Sequence, residues 1–218
     1  MAGSPCLFTV DRMDVRAIDE KEGRAMTEVR WDGGADYEMV LEAGCEAPPS
    51  AVYGVLADLS THLEWAGKRQ YRGFRLISLS GAGPLETGTE FTSVGTIPMA
   101  LARWENQNEV VEARPPHVLE FHTEAIVMWR SGKQTEARYE HRYEIEPEGA
   151  GSRVTYRLRQ TEIANPPLRA RLPVMRTLTH RVMMPRFCRR GFKNLLRSAE
   201  RPQEQNHAGR STQARAAT

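Results

Sequence analysis

The chain has 218 residues, of which 40% are hydrophobic and 27% are charged, and its formal net charge is +2. This length suits one globular domain with tails rather than two full domains, because a single core stays efficient up to roughly 250 residues. No apolar run approaches the roughly 20 residues that cross a bilayer and no secretory signal opens the chain, so we expect a cytoplasmic protein.

The positive charge is concentrated at one end of the chain. Residues 166–218 hold 12 Lys and Arg against two Asp and Glu, whereas the preceding residues hold 18 against 26. The basic end therefore has an acidic partner surface within its own chain, and charge alone does not indicate a nucleic-acid-binding protein.

The three cysteines are odd in number and widely spaced, so we expect no disulfide framework, no metal site and no other cofactor.

The first part of the chain shows no sustained pattern. Residues 1–35 mix charges with scattered apolar positions, and "WDGGAD" at 31–36 is typical of a joint. We expect a partly flexible N-terminal extension there. From Tyr37 onward apolar and polar residues alternate, which predicts a half-buried strand.

Two short helices are predicted after this strand. Pro48 and Pro49 end the strand and suit the first turn of a helix. Val52 and Leu56 then recur at helical spacing, and Asp58 can end the first helix and cap the second.

Alternating segments separated by turn signals then predict six strands with short links, a pattern that favours an antiparallel meander. The clearest is "EARYEHRYEIE", where the apolar face opposes a ladder of alternating charge. The six segments are residues 72–80, 88–97, 101–113, 117–129, 136–146 and 152–163.

A long helix is predicted after the last strand. Asn165 is placed to cap it and Pro166 to occupy its first position, while Pro173 and Pro185 should bend or split it. Residues 199–218 are polar and low in apolar content, so we expect a disordered tail.

This order of elements resembles the helix-grip fold of the SRPBCC/START-like superfamily, and in particular the polyketide cyclase/dehydrase and lipid-transport proteins. The segments that carry the resemblance are "EAPPSAVYGVLADLSTHLEW", "LETGTEF", "NEVVEARPPHVLEF" and "HRYEIEPEGAGSRVTY". The resemblance implies an α+β domain over residues 36–198, with a curved antiparallel sheet of about seven strands wrapped around the long C-terminal helix. It also implies a hydrophobic ligand between sheet and helix; some relatives close or dehydrate rings, and many only carry the ligand.

A cavity is expected on physical grounds as well, because a strongly twisted antiparallel sheet cannot pack flush along one helix. The inward positions of the predicted strands are rich in aromatic groups with polar tips, and methionines lie on the helix. Such a lining favours a flat or flexible apolar guest with one or two polar substituents.

Candidate site residues follow from the inward faces. His141 lies between Tyr139 and Tyr143 and could act with Tyr143 as a general acid or base, although a structural histidine is the favoured interpretation. Arg103 and Trp104 are adjacent in a strand, so one of them points inward, and we favour a solvent-facing arginine. The candidate ligand-binding residues are Trp65, Arg103, Trp104, Phe121, Tyr139, Tyr156, Met175, Leu178 and Met183.

The basic C-terminal helix leaves three interpretations open. Arg186 and Arg190, like Arg189 and Lys193, are like-charged residues four apart, which repel each other unless an anion lies nearby. The helix could form the pocket wall with its positive charge compensated by acidic residues of its own chain, contact an anionic membrane surface, or bind RNA; we favour the first.

The sequence therefore predicts a protein that binds a polyketide-, aromatic- or lipid-like molecule, and it leaves open whether the protein has cyclase/dehydratase activity. The alternative is a non-catalytic lipid carrier or adaptor that docks on an anionic membrane or RNA surface.

Overall fold

The computed structural model describes residues 15–18, 25–31, 36–68, 74–81, 83–97, 101–167 and 172–201. Within these ranges nine strands and four α-helices form an α+β fold. The strands are β1 (Val15–Ile18), β2 (Ala25–Trp31), β3 (Tyr37–Cys45), β4 (Arg75–Ser80), β5 (Glu90–Ile97), β6 (Ala102–Arg114), β7 (Val118–Trp129), β8 (Gln134–Glu148) and β9 (Gly151–Ala164).

All neighbouring strands pair antiparallel in the order β1-β2-β3-β9-β8-β7-β6-β5-β4. The meander predicted from the sequence is therefore confirmed for β4 to β9. Strand β3 pairs with β9. The helix-grip fold is confirmed as well. No helix within the described ranges is long and apolar enough to cross a membrane.

The sheet has nine strands rather than the predicted seven or so, because the N-terminal extension contributes β1 and β2. In β2, Thr27 and Val29 are buried while Arg30 is exposed. This alternation is short and includes a polar residue, so it is weak without the pairing to β3, the next strand in the sequence, that stabilises it. The rest of the expected flexible extension and the expected tail beyond residue 201 lie outside the described residues.

The two short helices occur where predicted. Helix α1 (Pro49–Ala57) begins at Pro49, and α2 (Leu59–His62) follows directly. The carboxylate of Asp58 accepts a hydrogen bond from the backbone N–H of Ser60 at 2.9 Å, which is the predicted cap. Helix α2 continues as a π-helical turn, Leu63–Lys68.

The C-terminal helix has three parts: α3 (Pro173–Leu178), a π-helical segment (Thr179–Met183) and α4 (Met184–Ala199). The start predicted at Asn165 and Pro166 is wrong, because Asn165 adopts a left-handed conformation with φ of 50° and the helix begins at Pro173. The predicted split is found: Pro185 lacks the N–H that an α-helix would use, and the geometry changes from π to α beside it.

Helix α4 is held to the rest of the fold at several points. The Asn194 side-chain amide donates to the carbonyl oxygen of Trp65 at 3.1 Å, and Leu195 is fully buried against the core. Towards the other end of α4, the Arg189 guanidinium donates to the hydroxyl of Thr27 in β2 at 2.8 Å and 3.1 Å. The N-terminal strand thus helps to position the C-terminal helix.

The outward face of the sheet carries the expected charge ladder. Arg142 in β8 donates to the carboxylates of Glu112, Glu120 and Glu144 on the same face, at 2.6 Å to Glu112 and 2.7 Å to Glu144. The opposite face is apolar and packs on α1 and α4.

We expect Gly95→Ala to destabilise the protein by about 1–3 kcal/mol, because the new Cβ would overlap the indole of Trp104 and the carbonyl oxygen of Arg75. Chemical unfolding of both proteins measures the change. The matched control is Gly54→Ala in α1, where a Cβ meets no atom within 4 Å. That substitution should stabilise by about 0.5–1 kcal/mol, since alanine favours helices. Equal stability of the two variants would contradict this account of Gly95.

Candidate functional site

A cavity of about 240 Å³ lies between the inner face of the sheet, α1, α2 with its π-helical turn, and α4. Helix α4 contributes its inner side, and the sheet contributes alternate residues of six strands. The residues that form the inner wall on α4 are Met184, Phe187, Cys188, Gly191 and Phe192, and those on β5 to β9 are Phe91, Ser93, Trp104, Asn106, Asn108, Phe121, Thr123, Ala125, Val127, Tyr139, His141, Tyr143, Tyr156 and Leu158.

The lining is aromatic and carries no formal charge. Among the described residues that line the cavity there is no Asp, Glu, Lys or Arg. The described residues also contain no group of three His, Cys, Asp or Glu side chains that could hold a metal ion. Any recognition in this cavity must therefore depend on shape, ring contacts and neutral hydrogen bonds.

A stack of rings crosses the sheet along the cavity wall. The rings of Phe121 and His141, which are cross-strand partners, are stacked with centroids 4.6 Å apart and planes 11° apart. Tyr143 and Tyr156 are also cross-strand partners, with centroids 4.5 Å apart. Tyr156 in turn faces Phe192 of α4 at 6.2 Å, so the stack joins the sheet to the helix.

Polar tips of this stack lie close together. Nδ1 of His141 lies 2.8 Å from the hydroxyl of Tyr156, and the ring of Tyr156 is stacked on that of Tyr143. Burial, with a smaller contribution from the charge of His122, lowers the pKa of His141 to about 3. Burial likewise raises the pKa of Tyr143 and Tyr156 above that of an ordinary tyrosine. At neutral pH the imidazole is uncharged and the phenols keep their protons.

A second polar group lies on β5, β6 and β7. The amide of Asn108 donates to the carbonyl oxygen of Phe91 at 3.0 Å and to the hydroxyl of Ser93 at 3.2 Å, and its oxygen accepts from the hydroxyl of Thr123 at 2.8 Å. The side chains of Asn108, Ser93 and Thr123 are thus hydrogen-bonded to one another. This network fixes the geometry of the three strands at the cavity wall.

Two indole N–H groups at the cavity have no hydrogen-bond partner among the described residues. Trp65 and Trp104 are each 8% exposed, and Nε1 of each is buried without a hydrogen bond. An unsatisfied buried donor costs about 1–3 kcal/mol. These two N–H groups are buried donors at the cavity for which the described residues provide no hydrogen-bond acceptor.

The structure brings together seven of the predicted site residues, and these are Trp65, Trp104, Phe121, Tyr139, His141, Tyr143 and Tyr156. Arg103 is not among them. It faces solvent while its neighbour Trp104 points inward, and this is the arrangement that the sequence analysis favoured for the pair. Met175, Leu178 and Met183 do not line the cavity either. They lie in α3 and the π-helical segment, which contain no buried residue, and the cavity wall begins only at Met184.

Sequence reasoning missed several lining residues. Asn106 and Asn108 follow Trp104 at alternate positions of β6, so the period-two pattern contained the signal for this inward polar group. Cys188 and Phe192 could not be assigned to the inner side from the sequence, because the π-helical segment changes which residues share a face.

Residues 37–200 match the family described as polyketide cyclase / dehydrase and lipid transport. Solved structures with a similar fold include a STAR-related lipid transfer protein from Xanthomonas axonopodis, 16% identical with a TM-score of 0.60, for which the match covers 86% of this chain and 99% of that one. A conserved protein from Geobacillus kaustophilus is 14% identical with a TM-score of 0.55, covering 74% and 94%. A protein from Arthrobacter aurescens is 14% identical with a TM-score of 0.54, covering 80% and 91%. None of the curated proteins matches this chain significantly.

We expect His141 to make stability depend on pH. Its pKa is about 3 in the folded protein and near 6.5 in an unfolded chain, so the unfolded chain takes up a proton first as the pH falls. The free energy of unfolding should therefore decrease between about pH 6.5 and pH 3, with His141 accounting for on the order of 1–2 kcal/mol at about pH 5.

Unfolding curves of the wild type and His141→Gln at neutral and acidic pH measure this contribution, which the variant should lose. The comparison variant is His122→Gln, whose side chain is half exposed on the outer face of the sheet; it removes only the smaller contribution to the pKa of His141 and should keep most of the pH dependence. An NMR titration in which the His141 ring takes up its proton near its ordinary pKa would contradict the assignment.

Proposed function

Because the chain belongs to the polyketide cyclase/dehydrase and lipid transport family, we propose that it binds a small, uncharged, largely apolar molecule in the aromatic cavity. The observation that carries the proposal is the chemistry of the lining, which is rich in rings and has no charged side chain among the described residues. Burying an ionised group without a partner costs several kcal/mol, so this lining selects against carboxylates and ammonium groups.

The size of the cavity narrows the class of guest. A volume of about 240 Å³ lies just below the range of roughly 300–1,000 Å³ that is typical of pockets for drug-sized ligands. The stacked faces of Phe121, His141 and Tyr156 favour a flat guest. An aromatic or polyketide-like molecule of one or two rings fits these conditions better than a long-chain lipid does.

The unmatched donors indicate what polar groups the guest carries. An acceptor oxygen on the guest would relieve the unsatisfied N–H of Trp65 or Trp104 after a small rotation of the indole. A carbonyl oxygen has this capacity without a charge, so ketones and quinone-like molecules suit the site better than acids of the same shape.

We expect 2-acetylnaphthalene to bind at least roughly tenfold more tightly than 2-naphthoate at neutral pH, because the two differ mainly in charge and the carboxylate would be buried without a partner. Quenching of tryptophan fluorescence, supported by calorimetry, measures both dissociation constants. Equal affinity, or tighter binding of the carboxylate, would contradict an uncharged guest.

A pair of variants tests whether the cavity is where binding occurs. Val127→Phe places a larger side chain in the cavity lining and should weaken binding of 2-acetylnaphthalene at least roughly tenfold. Its neighbour Ile126 points to the outer face and is exposed, so Ile126→Phe is the matched control and should bind as the wild type does. If both variants bind 2-acetylnaphthalene as the wild type does, the guest binds outside this cavity.

A cofactor-independent cyclase/dehydratase activity is the second candidate function. The observation in its favour is the hydrogen bond between His141 and Tyr156 beside the cavity, with Tyr143 stacked on Tyr156, so that both predicted catalytic residues lie at this place. However, an imidazole with a pKa of about 3 is a weak base, and phenols with raised pKa values are weak acids. These shifts favour hydrogen bonding to a guest over proton transfer, so we place binding first.

The two functions differ in what happens to a linear triketone such as heptane-2,4,6-trione, whose ring closure releases one water molecule. We expect the protein to leave the rate of closure at its value in buffer, as followed by absorbance and mass spectrometry. An acceleration that His141→Gln and Tyr143→Phe both remove, while affinity for 2-acetylnaphthalene is kept, would assign the protein to the enzymes instead.

A further inference from the structure

Exposed apolar side chains are concentrated at the start of the C-terminal helix. Within the described ranges seven large hydrophobic residues are exposed, and four of them lie between residues 172 and 182. These four are Leu172 (57% exposed), Val174 (78%), Leu178 (40%) and Val182 (47%). Single exposed apolar residues are normal on a protein surface, but a cluster of this kind marks an interaction surface.

The fold holds this segment in position from its other side. The ring of His180 stacks on Trp31 of β2 with centroids 4.7 Å apart and planes 11° apart, and it meets Tyr37 edge-on at 5.1 Å. The guanidinium groups of Arg176 and Arg181 lie 5.6 Å and 5.9 Å from the centroid of the Trp31 ring. The apolar residues four apart are thereby left outward, because the contacts to the sheet are made by other residues of the segment.

The charge around this surface identifies the kind of partner. Residues 172–201 contain eight Lys and Arg and a single acidic residue, Glu200. Apolar side chains next to arginines match the acyl boundary and the anionic headgroups of a lipid surface. A second copy of the chain that packed this face against itself would bring like charges together.

We propose that the surface formed by Leu172, Val174, Leu178 and Val182 docks on an anionic lipid membrane. The apolar residues enter the interface, and the net positive charge of residues 172–201 attracts the anionic headgroups. The same helix continues at Met184 into the cavity wall, so docking would place the membrane next to the element that covers the binding site. This proposal is separate from the chemistry of the guest.

The test uses the full chain and two kinds of vesicle, phosphatidylcholine alone and an equal mixture with phosphatidylglycerol. We expect binding to the mixed vesicles that is at least roughly tenfold tighter than to the neutral ones and that weakens steeply with added salt. The triple variant Val174→Gln, Leu178→Gln, Val182→Gln should bind the mixed vesicles at least roughly tenfold more weakly. Cosedimentation measures all of these.

The control variant, Ile77→Thr with Ile126→Thr, removes two exposed apolar residues elsewhere and should bind as the wild type does. Since the three substituted surface residues do not line the cavity, the triple variant should keep its affinity for 2-acetylnaphthalene, which separates a failure of docking from a failure of the proposed function. Unchanged vesicle binding in the triple variant would overturn the proposal. So would dimerisation of the wild type that the triple variant loses, or binding to a homopolymeric RNA that displaces the vesicles.

Discussion

The twist of the antiparallel sheet is the constraint from which the rest of this structure follows. A straight helix cannot follow a twisted surface along its whole length, so it makes close contact in some places and leaves space in others. Here α4 is buried at Leu195 and bonded through Asn194 to the turn at Trp65. One turn earlier, Cys188 and Gly191 face the cavity instead. The cavity is thus the gap that remains where helix and sheet diverge.

Enclosure of this gap decides the chemistry of the groups around it. Removing a side chain from water disfavours its charged form, so the same burial lowers the pKa of His141 and raises those of Tyr139, Tyr143 and Cys188. All of these groups are neutral near pH 7. The thiol of Cys188 in particular is a poor nucleophile there, because its pKa of about 12 leaves almost none of it as thiolate.

No charged side chain of the described residues lines the cavity, because side chains along a strand point alternately to the two faces of the sheet. In β8, Tyr139, His141 and Tyr143 point inward, whereas Arg142 points outward into a cluster of three glutamates. The basic residues of α4 do not line the cavity either; Arg189, for example, reaches Thr27 in β2 instead. The positive charge of α4 therefore contributes no side chain to the cavity wall.

The sequence by itself determined the element order, the meander and the family, because these depend on local periodicity and turn residues. It also indicated most aromatic residues of the cavity wall, since the alternation of a strand assigns a face to every position. Only the tertiary structure decided that β2 pairs with β3. It also decided which residues of the C-terminal helix face the cavity. Strand β2, with two buried residues, is stabilised by its pairing with β3, and the π-helical segment at Thr179–Met183 rotates the residues that follow. Met184, Phe187 and Cys188, which follow this segment, line the cavity, whereas Met175 and Leu178, which precede it, do not, because side-chain direction along a helix depends on every turn before it.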